Sequence, residues 1–264
     1  AFLDQRVSAG QRLILHLPPD PPSDIVPCEG PLDILYEDEH LLVVNKPPYV
    51  PVHPGPGHHE DTLGNFLTWH YLQNGTPHTY RPVNRLDRST SGLMCVAKDG
   101  YTQELLKLQL HPQTFSRIYA ACCHCFVPLV QHFVNTPIAR QKDSVLKREI
   151  RPDGAPALTY FQVLERRGDR ALLALKLATG RTHQIRVHMA SIGWPLLGDF
   201  LYGQEEPDVI GRTALHSWHL SFLHPVTGGK LEFTTPPPAD FTALFPHYRY
   251  PDPATIDFGK DTSC

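Results

Sequence analysis

The chain has 264 residues, of which 41% are hydrophobic and 19% charged, with a formal net charge of −3. That length suits one large domain or a domain with an appendage, and the near balance of charge excludes an indiscriminate polycation. No apolar run approaches the ~20 residues of a membrane span, and Ala1 to Gly10 lack the apolar stretch of a signal peptide, so a cytoplasmic protein without membrane attachment is expected.

Residues 1–17 end in a turn and a short strand, Val7 to Leu15, too little to fold alone. Pro18, Pro19, Pro21, Pro22, Pro27 and Pro31 make 18–31 a stiff linker. The main unit, 32–246, opens with a β-hairpin: Ile34-Leu35-Tyr36, a polar turn, then Leu41 to Asn45, closed by Lys46-Pro47-Pro48. Asp61-Thr62 caps a helix whose apolar face is Leu63, Phe66, Leu67 and Tyr71. A loop around Asp87 leads into the apolar strand Leu93 to Ala97. A helix over 101–110 and a strand over 115–125 follow. Strands 158–165 and 171–177 flank the turn Arg166 to Asp169. The tight turn Thr179-Gly180 leads to a helix from Thr182 to Ile192, with Gly193 placed to stop it. Strands are expected at 214–223 and 231–233, and a loosely held proline-rich tail over 247–264.

Hairpin-length connections and the lack of a regular βαβ rhythm point to an α+β domain on a mostly antiparallel or mixed sheet. The absence of heptads gives no reason to expect more than a monomer. Gly55-Pro56-Gly57 does not open a helix as a phosphate loop does. The run Cys122-Cys123-His124-Cys125 lacks the spacer of zinc hooks, and adjacent residues of a strand face opposite ways; a strand of small apolar side chains is expected there, with no metal. The alternative, zinc on Cys122, Cys123 and Cys125, would show as one bound ion per chain.

Three segments carry candidate chemistry. Asn84-Arg85-Leu86-Asp87-Arg88-Ser89-Thr90-Ser91-Gly92 sets one carboxylate between two arginines, whose charge favours its ionised form, followed by hydroxyls suited to phosphate oxygens. Taken alone, Arg-x-Asp-Arg fits a surface ion pair. Arg117-Ile118-Tyr119 puts an arginine and a tyrosine on one strand face, a stacking surface beside a phosphate contact. Gly180 to His188 places Arg181 at a strand-to-helix junction, Ile185 and Met189 on one helix face, and Arg186 reaching round from another. His183 and His188 are too far out of step for a metal-binding pair, so hydrogen-bonding or core roles are expected.

In this order the segments strongly resemble the RluA-type pseudouridine synthases, from about Leu32 to Pro238. The resemblance rests on Leu35 to Pro47, on Arg85-Leu86-Asp87 with Ser91-Gly92-Leu93 and Ala97-Lys98, and on Arg117-Ile118-Tyr119. Gly180 to Arg186 with His188, Gly193, Pro195, Gly198-Asp199 and Tyr202-Gly203 carries it further, as do Leu215-His216 and His224-Pro225 with Thr227-Gly228. Residues 7–17 resemble the end of the small S4 RNA-binding module. The resemblance implies isomerisation of uridine to pseudouridine in ribosomal or transfer RNA, with base flipping and no cofactor. It implies that Asp87 is the essential carboxylate, acting as nucleophile or as base. Arg181 is implied as its ion-pair partner, and Tyr119 as the residue that stacks on the base and takes the C5 proton. Arg85 is implied to fill the gap left by the flipped nucleotide, Arg117 to bind RNA, and Ile185 to wall the base pocket. The family mostly has His at Asn84, an acid at Ser89 and Ala at Ser217, and the first two are expected to border the RNA.

Overall fold

Residues 6–12, 14, 23–110, 114–125 and 132–258 are described by a computed structural model. The strands in chain order are β1 (Ile34–Glu37), β2 (Leu41–Lys46), β3 (Arg81–Pro82), β4 (Ser91–Ala97), β5 (Ser116–His124) and β6 (Phe133–Asn135). They continue with β7 (Ile138–Arg140), β8 (Arg148–Ile150), β9 (Leu158–Arg167), β10 (Arg170–Leu177), β11 (Leu215–Leu223) and β12 (Lys230–Thr234). The helices are α1 (Leu63–Gln73), α2 (Gly100–Leu108), α3 (Gln184–Ser191) and the single turn α4 (Ala239–Thr242).

Ten strands form one sheet in the order β1-β2-β4-β11-β5-β10-β9-β6, with β3 added to β4 and β12 to β11; β7 and β8 pair separately. Every ladder is antiparallel except β4 with β11, where His216 and Ser217 lie opposite Ser91 and Gly92. This is the α+β class expected, on a mixed sheet. The parallel seam lies directly after the Asp87 loop. Gly92 has φ 110°, and a side chain on it would strike the Ser217 backbone. The seam closes only because glycine stands there.

Alternation in the central strands divides the core. Tyr119, Ala121 and Cys123 join one apolar cluster with Leu63, Leu67, Tyr71, Ile185 and Met189, so α1 and α3 cover that face. Ile118, Ala120 and Cys122 join the other with Trp218, Phe241, Leu244 and Phe245. Cys122 and Cys123 therefore point apart, each into apolar packing, which explains why an unbroken apolar run is tolerated in a strand buried on both faces. Third, α2 packs Leu106 against Leu41, Leu93 and Phe222.

Several expectations shift. The helix expected at 182–192 begins two residues later, because His183 sits in the left-handed region at φ 57°. The short strands β3, β6, β7 and β8 carry no strong pattern in the sequence. Part of the expected linker is laid along α1: Cys28 N donates to the Asn65 carbonyl and Asn65 Nδ2 to the Val26 carbonyl. Ile25 and Leu32 pack on the core there. The expected loose tail is held as far as 258, with Tyr248, Tyr250, Ile256 and Phe258 against the second cluster and Tyr250 edge-on to Trp218. Of the S4-like segment, residues 1–5, 13 and 15–17 lie outside the described residues, as does 18–22 of the linker; 8–11 form a turn. Among the described residues no helix is long and apolar enough to cross a membrane.

Candidate active site

Asp87 sits on the loop between β3 and β4, and two buried cations hold the backbone immediately after it. Lys46, at the end of β2, donates from Nζ to the carbonyls of Pro47 (2.8 Å), Val50 (2.9 Å) and Arg88 (3.2 Å). Arg212 donates from Nη1 to the carbonyl of Ser89 (3.2 Å), and its far edge is gripped by Asp240 at 2.6 and 2.9 Å. Successive carbonyls, of Arg88 and Ser89, are thus fixed from two sides. Burial pulls the Lys46 ammonium down to a pKa of about 7, with Asp87 opposing and Arg212 adding to the fall. Thr90 N closes the turn onto the Asp87 carbonyl at 3.0 Å.

The carboxylate of Asp87 meets Arg186, not Arg181. Arg186 Nη1 lies 3.1 Å from Asp87 Oδ2, while its Nε and Nη2 bond Asp199 at 2.7 and 2.6 Å. Burial works against the guanidinium's charge, but Asp199 and Asp87 outweigh it and hold its pKa raised. Arg181 donates from Nε to the Pro156 carbonyl at 3.0 Å and lies exposed at the cavity edge. The expected Asp87–Arg181 pair is therefore corrected. With His183 left-handed, α3 starts at Gln184, and its first turn presents Arg186 to the loop. Gln184 fixes that start: its Oε1 accepts from Arg181 N and Thr179 Oγ1, and its Nε2 donates to Leu158 O and Thr159 Oγ1.

His183 Nδ1 bonds the Tyr202 hydroxyl at 2.9 Å, and its Nε2 lies 3.8 Å from Asp87 Oδ1. Burial lowers its pKa, only partly opposed by Asp87, so it is neutral at pH 7. His188 is buried between Thr159 Oγ1 and the Thr136 carbonyl. Both histidines have hydrogen-bonding roles.

Tyr119, on β5, is buried beneath the same loop. Burial raises its phenol pKa against the pull of Arg117 and a hydrogen bond with Ser217, so it stays protonated at neutral pH. Ser217 Oγ also donates to the Leu93 carbonyl at 3.0 Å. A small cavity of about 50 Å³ is walled by Tyr119, Leu177, Ile185 and Leu215, with Asp87 at its edge. It adjoins a cavity of about 330 Å³ ringed by Arg85, Arg117 and Arg181, again with Asp87 and Tyr119 in the wall. Arg85 is tied to the Thr182 hydroxyl. Arg117 is buried, its Nε has no hydrogen-bond partner among the described residues, and a side chain on Gly180 would collide with its Nη1. Three guanidinium groups about one cavity suit an anion such as a phosphodiester.

Asn84, expected at the RNA border, is buried: its Oδ1 accepts from Cys95 N at 2.8 Å, so it serves chiefly to hold the loop to β4. Ser89 lines a third cavity, of about 570 Å³, with Asp87 and Arg88. Among the described residues no group of three His, Cys, Asp or Glu is placed to hold a metal ion. The contacts of Lys46, Arg212 and Asp199 emerge from the structure; Lys46 and Asp199 stand in segments that carry the family resemblance, which assigns them no role.

Comparison with known proteins gives the family. The model of the RNA pseudouridylate synthase family matches residues 40–191. An uncharacterized RNA pseudouridine synthase of Bacillus subtilis is 44% identical over 89% of this chain and 83% of its own. The ribosomal large subunit pseudouridine synthase D of Zymomonas mobilis is 38% identical over 88% of this chain and 77% of its own. Among solved structures, human RNA pseudouridylate synthase domain containing 1 superposes with a TM-score of 0.63 at 28% identity, covering 81% of this chain and 86% of that one.

Proposed function

The chain belongs to the RNA pseudouridylate synthase family, in its RluA-type branch, and is an isomerase acting on RNA; from that premise we propose that Asp87 is the carboxylate on which the isomerisation turns. In the reaction the C1′–N1 bond of a uridine breaks, the uracil rotates while held, and a C5–C1′ bond forms. C5 loses its proton and N1 gains one, so no redox partner is required.

The observation that carries the reading is the position of Asp87. Among the described residues it is the one carboxylate shared by the apolar slot of Tyr119, Ile185 and Leu215 and the arginine-ringed cavity beside it. We place the uracil at the mouth of the slot, between an aromatic and an aliphatic wall, with the backbone phosphates of its nucleotide toward Arg85, Arg117 and Arg181. Asp87 then faces the sugar, where it acts by attack or by taking a sugar proton. Arg186 aims the carboxylate through its 3.1 Å bond to Oδ2. We assign the Tyr119 phenol to the base side, where its oxygen accepts the C5 proton as its own proton passes to solvent, and N1 takes one up to close the balance.

Reaching the slot requires the uridine to leave its stack, at a cost of a few kcal/mol. We assign Arg85, at the cavity rim, to the space the base vacates. The substrate we favour is a stem-loop of ribosomal RNA, supported by relatives named for the large ribosomal subunit, with a transfer RNA stem-loop as the alternative. The same reading takes the protein to work in the cytoplasm as a monomer.

The test is tritium release from RNA labelled at uridine C5, prepared from cells lacking the gene. Wild-type protein is expected to release tritium and Asp87→Asn to release none while unfolding at the same denaturant concentration. Release by that variant would show that the isomerisation does not turn on Asp87.

A further inference from the structure

A cavity of about 570 Å³ shares Asp87, His183 and Arg186 with the uracil side but neither Tyr119 nor Ile185. It is a separate space that meets the first at the reacting carboxylate. Its size falls within the roughly 300–1,000 Å³ usual for small-ligand sites.

Three large apolar side chains from distant parts of the chain converge on it while exposed: Tyr49 (53%), Leu146 (60%) and Phe200 (51%). They come from the loop after β2, the tip of the β7–β8 hairpin and the loop after α3. Exposed apolar groups gathered around one hollow mark a binding surface rather than chance scatter. Phe200 has one face against Arg186, whose Cζ lies 5.5 Å from the ring centroid, and Arg186 is itself 3.1 Å from Asp87. The ring therefore stands one side chain away from the site of reaction.

Tyr49 reinforces the assignment. Its φ of 68° is a conformation a bulky L-residue avoids, and its hydroxyl donates to the Gly211 carbonyl at 2.9 Å across the cavity. Strain of that kind persists where the surroundings over-determine it, typically at a functional site. Glu205 and Glu206 also line the cavity, Glu206 with one carboxylate oxygen held by His124 Nε2 at 2.9 Å. Negative charge there disfavours phosphate, and Glu205 offers an acceptor for N–H groups of a base edge. Arg88, at the Asp87 end, is placed for the phosphate joining two neighbouring nucleotides.

We propose that this cavity is a second base site, which takes the unstacked nucleobase of a nucleotide adjoining the target uridine and stacks it on Phe200. The proposal rests on the RNA-isomerase reading. Stacking on one aromatic side chain is worth about one to two powers of ten in affinity.

The experiment measures tritium release against RNA concentration, on the same C5-labelled cellular RNA, for the full chain, Phe200→Ala, Tyr49→Gly and the control Val226→Ala. Tyr49→Gly removes the ring while relieving the backbone, so it does not test folding. Both cavity variants are expected to raise the half-saturating RNA concentration about tenfold or more, with the loss falling there rather than on turnover at saturation, and the control to match wild type. Unchanged half-saturation in both cavity variants, with wild-type release intact, overturns the second site and leaves the isomerase reading standing. A fall confined to turnover in Phe200→Ala, with Tyr49→Gly like wild type, makes Phe200 a support for Arg186 and also overturns it. No release by wild-type protein overturns the isomerase reading and this proposal with it.

Discussion

The guanidinium of Arg186 is locked to the carboxylate of Asp199 by two bonds of 2.7 and 2.6 Å, with both groups buried, and only its remaining nitrogen is left for Asp87. Asp199 thereby sets the direction from which Asp87 is held. The planar fork explains why arginine stands at 186, since a lysine offers one point charge and cannot serve both carboxylates in fixed geometry.

Asp199→Asn is expected to separate these roles. Removing one partner of a buried ion pair costs about 3–5 kcal/mol, and Arg186 is then free to swing. Stability should fall by that order in urea unfolding, and turnover should fall although Asp87 is untouched. By contrast Arg181→Ala, at an exposed site, should leave stability nearly unchanged and weaken RNA binding more than turnover. Equal stability of the two variants would contradict the pairing of Arg186 with Asp199 and Asp87.

The distinction between Arg181 and Arg186 shows where the sequence ceases to be legible. Both lie in one dense motif, and which of them faces Asp87 depends on the left-handed turn at His183, a backbone choice no side-chain pattern announces. Asp87, Tyr119 and Ile185 were legible through the family resemblance, with periodicity fixing a strand or helix face only for the last two, and all three border one slot. The β7–β8 hairpin was not, since its strands of three residues are too short and too charged to alternate. Prolines around Tyr248 and Tyr250 suggested a loose tail, yet the two rings stack edge-on to each other and cap Trp218.

Tyr119→Phe should distinguish stacking from proton transfer. The ring and its burial are kept and only the hydroxyl, bonded to Ser217, is lost. If the phenol carries the C5 proton, turnover should fall about 10²- to 10⁴-fold with half-saturation by RNA little changed. A variant as fast as wild type would confine Tyr119 to stacking.

His216 predicts an acid weakness. It is buried at the β4–β11 seam, where Nδ1 faces Ser91 Oγ at 2.9 Å and Nε2 the Thr235 carbonyl at 3.0 Å. Burial, with Arg212 adding and Thr235 opposing, lowers its pKa from an ordinary 6.5 to about 4. The unfolded chain takes up this proton first as pH falls, so stability present above 6.5 is lost progressively down to about 4. Thermal midpoints should decline across that window in wild type, and His216→Gln should start lower but decline less. His53, His183, His188 and His219, lowered in the same direction by burial, keep part of the slope in the variant.

Lys46 predicts the opposite limb of the pH curve. Its native pKa of about 7 lies below the ordinary 10.5, mainly through burial. Below pH 7 both states bind the proton. Between 7 and 10.5 the unfolded chain binds it and the native one releases it, so this group makes stability rise with pH. The buried thiols of Cys95 and Cys123 are shifted upward and act oppositely once the unfolded thiols ionise, so the informative quantity is the difference between wild type and Lys46→Met at pH 6, 7 and 8.5. That difference should grow in favour of wild type above pH 7. At every pH the variant should be less stable by about 1–3 kcal/mol, because carbonyls that accepted from Nζ lose their donor. It should also lose turnover, since the Arg88 carbonyl next to Asp87 is no longer pinned and a shift of about 1 Å in a reacting group can cost 10²-fold. A flat difference across the pH range would mean that Lys46 keeps its charge in the folded protein and clamps the loop as an ammonium throughout.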